Sequence, residues 1–273
     1  MQYTKITIPI QDTVIQEILI AYLAEFDFDS FDSDDTNVYA YIPSINYNSN
    51  DVTSCLEKIN QVELKFEESI IEQKNWNEEW EKIFEPVLIN NQLSIRAPFH
   101  APQNTTIELI IEPKMSFGTG HHATTFMMCE IMLQIDFLDK KVLDFGSGTG
   151  ILAILASKLS AKSVLGIDNE EWAIENSIEN AQKNACSNTQ FKLGEEQLIV
   201  ETYDIVLANI NRHIILDNIN VITSAVKNEG ILLISGILNS DEEEMSQELN
   251  KYNFIHQYTL QKDGWSAMYF YKN

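Results

Sequence analysis

The stretch richest in chemistry runs Lys141-Val142-Leu143-Asp144-Phe145-Gly146-Ser147-Gly148-Thr149-Gly150-Ile151-Leu152-Ala153. A short apolar run enters glycines at three alternate positions and then a helical pattern. Glycine lets a backbone turn tightly and approach a ligand with no Cβ in the way. The spacing discriminates between kinds of loop. A dinucleotide fingerprint needs G-x-G-x-x-G, but Ile151 stands where its third glycine belongs. A Walker loop needs G-K-[ST], which is absent.

The remaining reading is a G-x-G-x-G loop that admits the amino-acid and ribose parts of S-adenosylmethionine, a ligand without a pyrophosphate. Val164-Leu165-Gly166-Ile167-Asp168 agrees, a strand ending in an acid 22 residues after Gly146. A carboxylate there can accept both ribose hydroxyls and would repel a 2′-phosphate. Its plain alternative is a helix cap before Glu170-Glu171-Trp172. Asp144 either faces the cationic end of the methionine part through water or braces the loop. Tyr203-Asp204-Ile205-Val206-Leu207-Ala208-Asn209-Ile210 is a strand that delivers Asn209 to the carboxyl ends of the sheet, where such sheets bind ligands. Asparagine cannot act as a base, but it can accept a hydrogen bond from an amine. Upstream, Glu112 through Thr125 is rich in glycine and hydroxyls and should sit beside the glycine loop. His121-His122 is not spaced for a metal on a helix face, so no metal is expected.

These pieces resemble the PrmA family, the methyltransferases of ribosomal protein L11. The resemblance rests on Met115 through Thr125, Val142 through Ala153, Gly166-Ile167-Asp168 and Ala208-Asn209-Ile210. Trp76, Trp80, Phe84 and Pro86 also look like the family's linker helix. After Asn209-Ile210, the Asn211-Arg212-His213 segment is bulkier and more basic than the family pattern. The resemblance implies cofactor contacts at Thr125, Gly146, Asp168 and Asn209. Gly148, Asp144, Phe117 and Gly118 complete the candidate set, with Asn209 also the candidate catalytic residue. It further implies N-methylation, usually trimethylation, of an α-amine and lysine ε-amines on a basic ribosomal protein. In such a reaction a neutral amine attacks a sulfonium methyl in line. A lysine ε-amine, with a solution pKa of about 10.4, must first lose its proton, whereas an α-amine at about 7.7–8.0 needs less help. Desolvation favours the neutral form, so no obligatory general base is expected.

The elements that must position these residues follow from periodicity. Ile6, Ile8 and Ile10 alternate as a strand. Asp12 can cap a helix bearing Val14, Ile15, Ile18, Leu19, Tyr22 and Leu23 inward. Val38 to Ile42 reads as a strand, Asp51 opens a helix with Val52, Cys55, Leu56 and Ile59 inward, and Val62, Leu64 and Phe66 alternate again. The order β-α-β-β-α-β is that of a small ferredoxin-like α+β domain over 1–72. Residues 73–86 form a linker helix whose Trp76, Trp80 and Phe84 share one stripe, stopped by Pro86. Over 87–273, strands at 107–111, 141–145, 163–167, 190–193, 203–208, 230–235, 254–260 and 266–271 alternate with helices near 122–137, 150–159, 170–185, 212–226 and 240–251. This predicts a doubly wound, mostly parallel sheet. Gly264 turns a final antiparallel hairpin. With the resemblance, the fold expected is a Rossmann-like class I methyltransferase domain with a seven-stranded sheet behind the ferredoxin-like domain.

Composition bounds the partners. The 273 residues carry 18 Lys+Arg against 41 Asp+Glu, a formal charge of −23. Residues 1–85 alone hold 18 acids and 5 bases. So negative a surface disfavours nucleic acid and anionic membranes and suits a basic protein, here RNA-free ribosomal protein. Three scattered cysteines, Cys55, Cys129 and Cys186, form neither a disulfide framework nor a zinc spacing. No apolar run of membrane-spanning length and no signal peptide is visible; the cysteine usage makes a reducing cytoplasm the expected home, and nothing points beyond a monomer. Other readings stay open: a class I methyltransferase for another protein or a small molecule, a non-enzymatic S-adenosylmethionine-binding module, and a hydride-transferring dehydrogenase.

Overall fold

The computed structural model describes residues 2–61, 63–71, 84–114, 118–194 and 196–273. The chain divides into two compact units, Met1–Ile83 and Phe84–Asn273. In the first, Asp12 accepts hydrogen bonds from the Val14 and Ile15 N–H groups and so opens a helix. The elements are β1 (Tyr3–Pro9), α1 (Thr13–Leu23), β2 (Ser30–Ser33), β3 (Asn37–Pro43), α2 (Ser49–Lys58) and β4 (Glu67–Ile71). The strands form one antiparallel sheet in the order β2-β3-β1-β4. Ile6, Ile8, Val38, Ala40 and Ile42 pack against Leu19, Leu23, Val52, Cys55 and Leu56.

Several local expectations for this unit are corrected. The inward stripe of α1 is Gln16, Leu19 and Leu23, while Val14 (62%) and Ile18 (44%) are exposed. Gln16 claims the inward position because its amide donates to the carbonyls of Ile10 (2.6 Å) and Asp34 (2.8 Å), which would otherwise be left unpaired. Helix α2 starts earlier than Asp51, with Asn48 as its cap. No strand runs through Leu64 and Phe66, which pack against the core from irregular backbone; Val62 lies outside the described residues. Pairing with β1 begins only at Glu67. The linker helix expected over 73–86, with Trp76 and Trp80, lies outside the described residues up to position 83, and Phe84, Glu85 and Pro86 are not helical.

The second unit contains β5 (Val87–Ile89), β6 (Leu93–Arg96), β7 (Ile107–Ile110), α3 (Ala123–Met132), β8 (Lys141–Phe145), α4 (Ile151–Lys158), β9 (Ser163–Asp168), α5 (Glu171–Lys183), β10 (Thr189–Leu193), β11 (Tyr203–Asn209), α6 (Arg212–Asp217), α7 (Ile219–Ala225), β12 (Val226–Leu238), α8 (Glu242–Asn250), β13 (Phe254–Lys262) and β14 (Trp265–Lys272). The doubly wound sheet is as expected, in the order β10-β9-β8-β11-β12-β14-β13. Strands β8 to β12 run parallel, and β14 is antiparallel to both β12 and β13. Alternation along the strands feeds two cores. Val142, Ile205, Leu207 and Leu233 face a layer with Met128, Leu152 and Leu155. Leu143, Val206, Ala208 and Ile234 face Ile215, Ile222, Met245 and Leu249.

The segment 107–111 does not join this sheet. As β7 it pairs with β6 in a separate three-stranded sheet, whose hairpin β5–β6 was missed although Asn90-Asn91 marks its turn. The helix expected over 212–226 is two helices meeting at Asn218, whose Nδ2 donates to the Ile214 carbonyl at 2.9 Å. Val226 already belongs to β12.

Strand β12 is irregular at Gly236, where the register with β14 shifts between Ser235 and Ile237. Gly236 has φ +84°, and a Cβ there would lie 2.2 Å from the Ile210 carbonyl oxygen. Gly236→Ala should therefore destabilise the protein by more than about 1 kcal/mol. A fall in Tm of at least about 2–4 °C is expected in a thermal melt. An unchanged Tm would contradict so close an approach.

Candidate active site

The sheet order creates one privileged place. From β8 the chain winds outward through β9 and β10, then crosses back to β11 on the other side of β8. The carboxyl ends of β8 and β11 flank that switch point, and crevices form where successive crossovers lie on opposite faces. Asp144 and Gly146 stand at one end, Asn209 at the other.

Period-two alternation turns Asp144 into the helical layer of α3 and α4, on the same side as Val142. It is 1% exposed. Its Oδ2 accepts from the Ala153 N–H at 3.1 Å, and its Oδ1 has no partner among the described residues. Burial above all raises this carboxyl to about 7; the Ala153 N–H pulls it down, and the Asp168 charge adds to the rise. Burial likewise pushes the nearby Cys129 thiol up to about 12, so it stays protonated and is no nucleophile.

The glycine loop is held from below, the Gly146 and Ser147 N–H groups donating to the Ile167 carbonyl at 2.9 and 3.0 Å. Gly146 has φ +76°, and a Cβ on it would lie 2.3 Å from Cγ2 of Ile210. Its missing side chain makes room for the protein's own Ile210, a requirement the loop pattern alone did not reveal. Asp168 takes the Gly148 N–H on Oδ2 at 2.8 Å and the Glu170 N–H on Oδ1 at 3.1 Å. It thus braces the loop and the start of α5 at once, and Glu170 is the capping position.

Asn209 donates from Nδ2 to Oγ1 of Thr125 at 3.3 Å, across 84 residues of sequence. Thr125 is buried in the first turn of α3, which His122 caps by accepting from the Thr124 N–H. The His122 ring also stands edge-on to Trp265. His121 Nε2 lies 2.8 Å from the Glu85 carbonyl oxygen, and its ring lies 4.4 Å from that of Phe84. Gly118 accepts from the Thr149 hydroxyl at 2.6 Å, so the upstream segment does lie against the glycine loop. Phe117 is outside the described residues. Arg212 is no free cation, because its guanidinium pairs with Glu244 and approaches Asp241.

Sequence reasoning missed Thr149 and the buried Asn176, Asn180 and Asn184. The last three occupy one face of the helix leaving Asp168, four residues apart. Their spacing was visible in the sequence, but their partners were not.

The comparisons with known proteins bear on this geometry. The family model described as "Ribosomal protein L11 methyltransferase (PrmA)" matches residues 6–273. The chain belongs to the PrmA family. Among its relatives, the ribosomal protein L11 methyltransferase of Porphyromonas gingivalis is 38% identical over 260 residues, covering 93% of this chain and 90% of that one. That of Bacteroides thetaiotaomicron is 34% identical over 276 residues, covering 98% of each. The crystal structure of a ribosomal protein L11 methylase from Lactobacillus delbrueckii subsp. bulgaricus superposes with a TM-score of 0.64 at 25% identity, covering 70% of this chain and all of that one. The second unit is accordingly a class I methyltransferase domain, and the PrmA member described here is an S-adenosylmethionine-dependent protein methyltransferase.

The buried carboxyl gives a pH test. An unfolded aspartate titrates near about 3.9. Asp144, raised to about 7, keeps a proton in the folded protein that the unfolded chain has lost between those values. Its contribution to stability therefore falls as pH rises through that window and is level above it. Asp144→Asn cannot titrate, so its urea-unfolding free energy relative to wild type should rise from about pH 5 to pH 8. Parallel profiles for the two proteins would refute the assignment.

Proposed function

We propose that this PrmA protein methylates amines of ribosomal protein L11, carrying the α-amine and lysine ε-amines to the trimethyl state. The observation that carries this reading is the junction of Asn209 with Thr125 at the switch point, beside the glycine loop and Asp168. The residues present suit the cofactor. Asp168 spends one lone pair of each oxygen on backbone N–H groups and keeps another on each for a pair of ribose hydroxyls. The orphaned Oδ1 of Asp144 leaves an acceptor free for the ammonium end of the methionine part. Gly118, Gly146 and Gly148 complete the proposed contacts, together with Phe117, which lies outside the described residues.

When bound, S-adenosylmethionine supplies an electrophilic methyl group on sulfonium. The protein's part is positioning and the exclusion of water. With Nδ2 engaged by Thr125, Asn209 leaves Oδ1 to accept an N–H from the incoming amine, which turns the nitrogen lone pair toward the methyl group. Loss of water around the incoming amine favours its neutral form, so no side chain need serve as an obligatory base.

The first unit, 1–72 in our assignment, holds the protein substrate, and 73–86 links it to the methyltransferase domain. Its acidity steers a cationic partner, and the RNA-free ribosomal protein is the form that meets it without repulsion. No helix among the described residues is long and apolar enough to cross a membrane; we place the protein in the cytoplasm as a monomer.

Asp168→Ala should weaken S-adenosylmethionine binding at least about tenfold by calorimetry, a loss of about 1.4 kcal/mol. Asn209→Ala should lower the methylation rate of peptide amines by more than about threefold with binding largely kept. Unchanged values in either case would remove that residue's role. Mass spectrometry of ribosomal protein L11 from cells with and without the gene tests the substrate, and identical methylation patterns would overturn it. Added salt should depress kcat/KM for the whole protein substrate far more than for a short neutral peptide.

A further inference from the structure

We propose that Asn180 is a positioning residue for cofactor binding, its single amide tying the glycine loop to the segment that leads to Gly118 and Thr125. The inference deepens the reading of the glycine loop as the cofactor's seat and rests on it.

The geometry is that of a helix standing in for a strand. Asn176, Asn180 and Asn184 recur every four residues, which is about 6 Å along a helix. The backbone of Ile110 to Glu112 advances about 6.6–6.8 Å in two residues. The two repeats nearly match, so the asparagine amides meet successive backbone groups as a neighbouring strand would. Asn184 accepts from the Ile110 N–H at 2.9 Å and donates to the Ile110 carbonyl at 2.7 Å. Asn180 accepts from the Glu112 N–H at 2.8 Å, and Asn176 donates weakly to the Glu112 carbonyl at 3.5 Å. Lys114–Glu179 and Lys183–Glu112 ion pairs flank the ladder at the surface.

Asn180 differs from Asn184 in one respect. Its Nδ2 turns away from the strand and donates to the Thr149 carbonyl at 3.0 Å, in the middle of Gly146–Gly150. The hydroxyl of that same Thr149 donates to Gly118. A hydrogen-bonded path therefore runs from Glu112 through Asn180 and Thr149 to Gly118. Asn180 is fully buried and so is Thr149, and no exposed rotamer competes with these bonds. The path joins the two chain segments whose relative placement decides whether Asp144 and Gly146 on one side and Thr125 on the other meet a single ligand. Asn184 grips the same upstream backbone without touching the glycine loop, and is the internal control.

The test is calorimetric titration of the full chain with S-adenosylhomocysteine, the product form of the cofactor, alongside thermal melts. Asn180→Ala should lose affinity by about tenfold or more, since it severs both bonds that tie the glycine loop to Glu112. Asn184→Ala should bind within about twofold of wild type although it too lowers Tm. Thr149→Val keeps the shape and the carbonyl but cuts the link to Gly118, and should lose about threefold or more. The double variant Asn180→Ala/Thr149→Val should bind more tightly than the product of the single losses implies, because both cuts open one path. If Asn180→Ala does not fold, Asn180→Asp, which keeps the acceptor for the Glu112 N–H and loses the donor to the Thr149 carbonyl, should show the same loss, and affinity within about twofold of wild type overturns the role. Affinity within about twofold for Asn180→Ala and Thr149→Val, with Asp168→Ala weakened, overturns the positioning role alone. Affinity unchanged in all three overturns the cofactor seat and this inference with it. Equal losses in Asn180→Ala and Asn184→Ala reduce the ladder to a stability element and also overturn the proposal.

Discussion

Ile210 is wedged between two glycines, and the site depends on that fit. Its side chain occupies the place a Cβ of Gly146 would need, and its carbonyl occupies the place a Cβ of Gly236 would need. The ends of β8, β11 and β12 are thereby drawn together one residue beyond Asn209. A close-packed interior does not yield to even one added methyl group without displacement. The wedge consequently fixes the direction in which the chain leaves β11, and with it where the Asn209 amide points. Parallel pairing sets the rest, since Asn209 lies opposite Ser235 and Ala208 opposite Phe145. The reach of Asn209 to Thr125 is thus set by strand packing as much as by the motif that contains it.

Legibility in the sequence followed the range of the interaction. Asp12 as a helix cap, the glycine loop and Asp168 at a strand end are local devices, and each lies where its pattern predicts. Asn209 and Thr125 were legible one at a time, through the element each terminates or begins. That they bond to each other is a property of the sheet order, which no window of sequence contains. Two of the failures share one cause. Val14 and Ile18 fit an apolar stripe on α1, but two orphan carbonyls at Ile10 and Asp34 had a stronger claim, and Gln16 satisfied them. Segment 107–111 read as a strand of the main sheet because its pattern was right, but the asparagines of α5 and strand β6 occupied both of its edges. Polar satisfaction by distant residues outweighed hydrophobic periodicity in each case.

The same principle explains the basic segment after Asn209. Arg212 follows Asn209 by three residues, on the side where we propose the amine enters, and an unpaired guanidinium there would oppose the approach of a cationic substrate. Its pairing with Glu244, near Asp241, absorbs that charge into the protein. Residue type at the rim therefore misleads unless its partner is known. The −23 of the whole chain is more robust, because 18 cations cannot neutralise 41 acids under any arrangement.

That excess has a counterpart at the centre of the proposed site. Asp144 and Asp168 are near enough to raise the carboxyl of Asp144 through their mutual repulsion, with burial supplying the larger part. A buried carboxylate near a second one is costly to ionise unless something positive joins it. S-adenosylmethionine is cationic at both its sulfonium and its ammonium. Its arrival favours the ionised form of Asp144 by the same electrostatics that disfavours it in the free protein. On the contacts proposed above, binding would be coupled to deprotonation of this carboxyl, with affinity rising as pH increases toward the range where Asp144 is already ionised. After methyl transfer the sulfonium charge is gone, and the attraction holding the product is weaker than the one that held the cofactor. With the proposed contacts, the acid pair would hold the cationic cofactor more tightly than the product, which has lost the sulfonium charge.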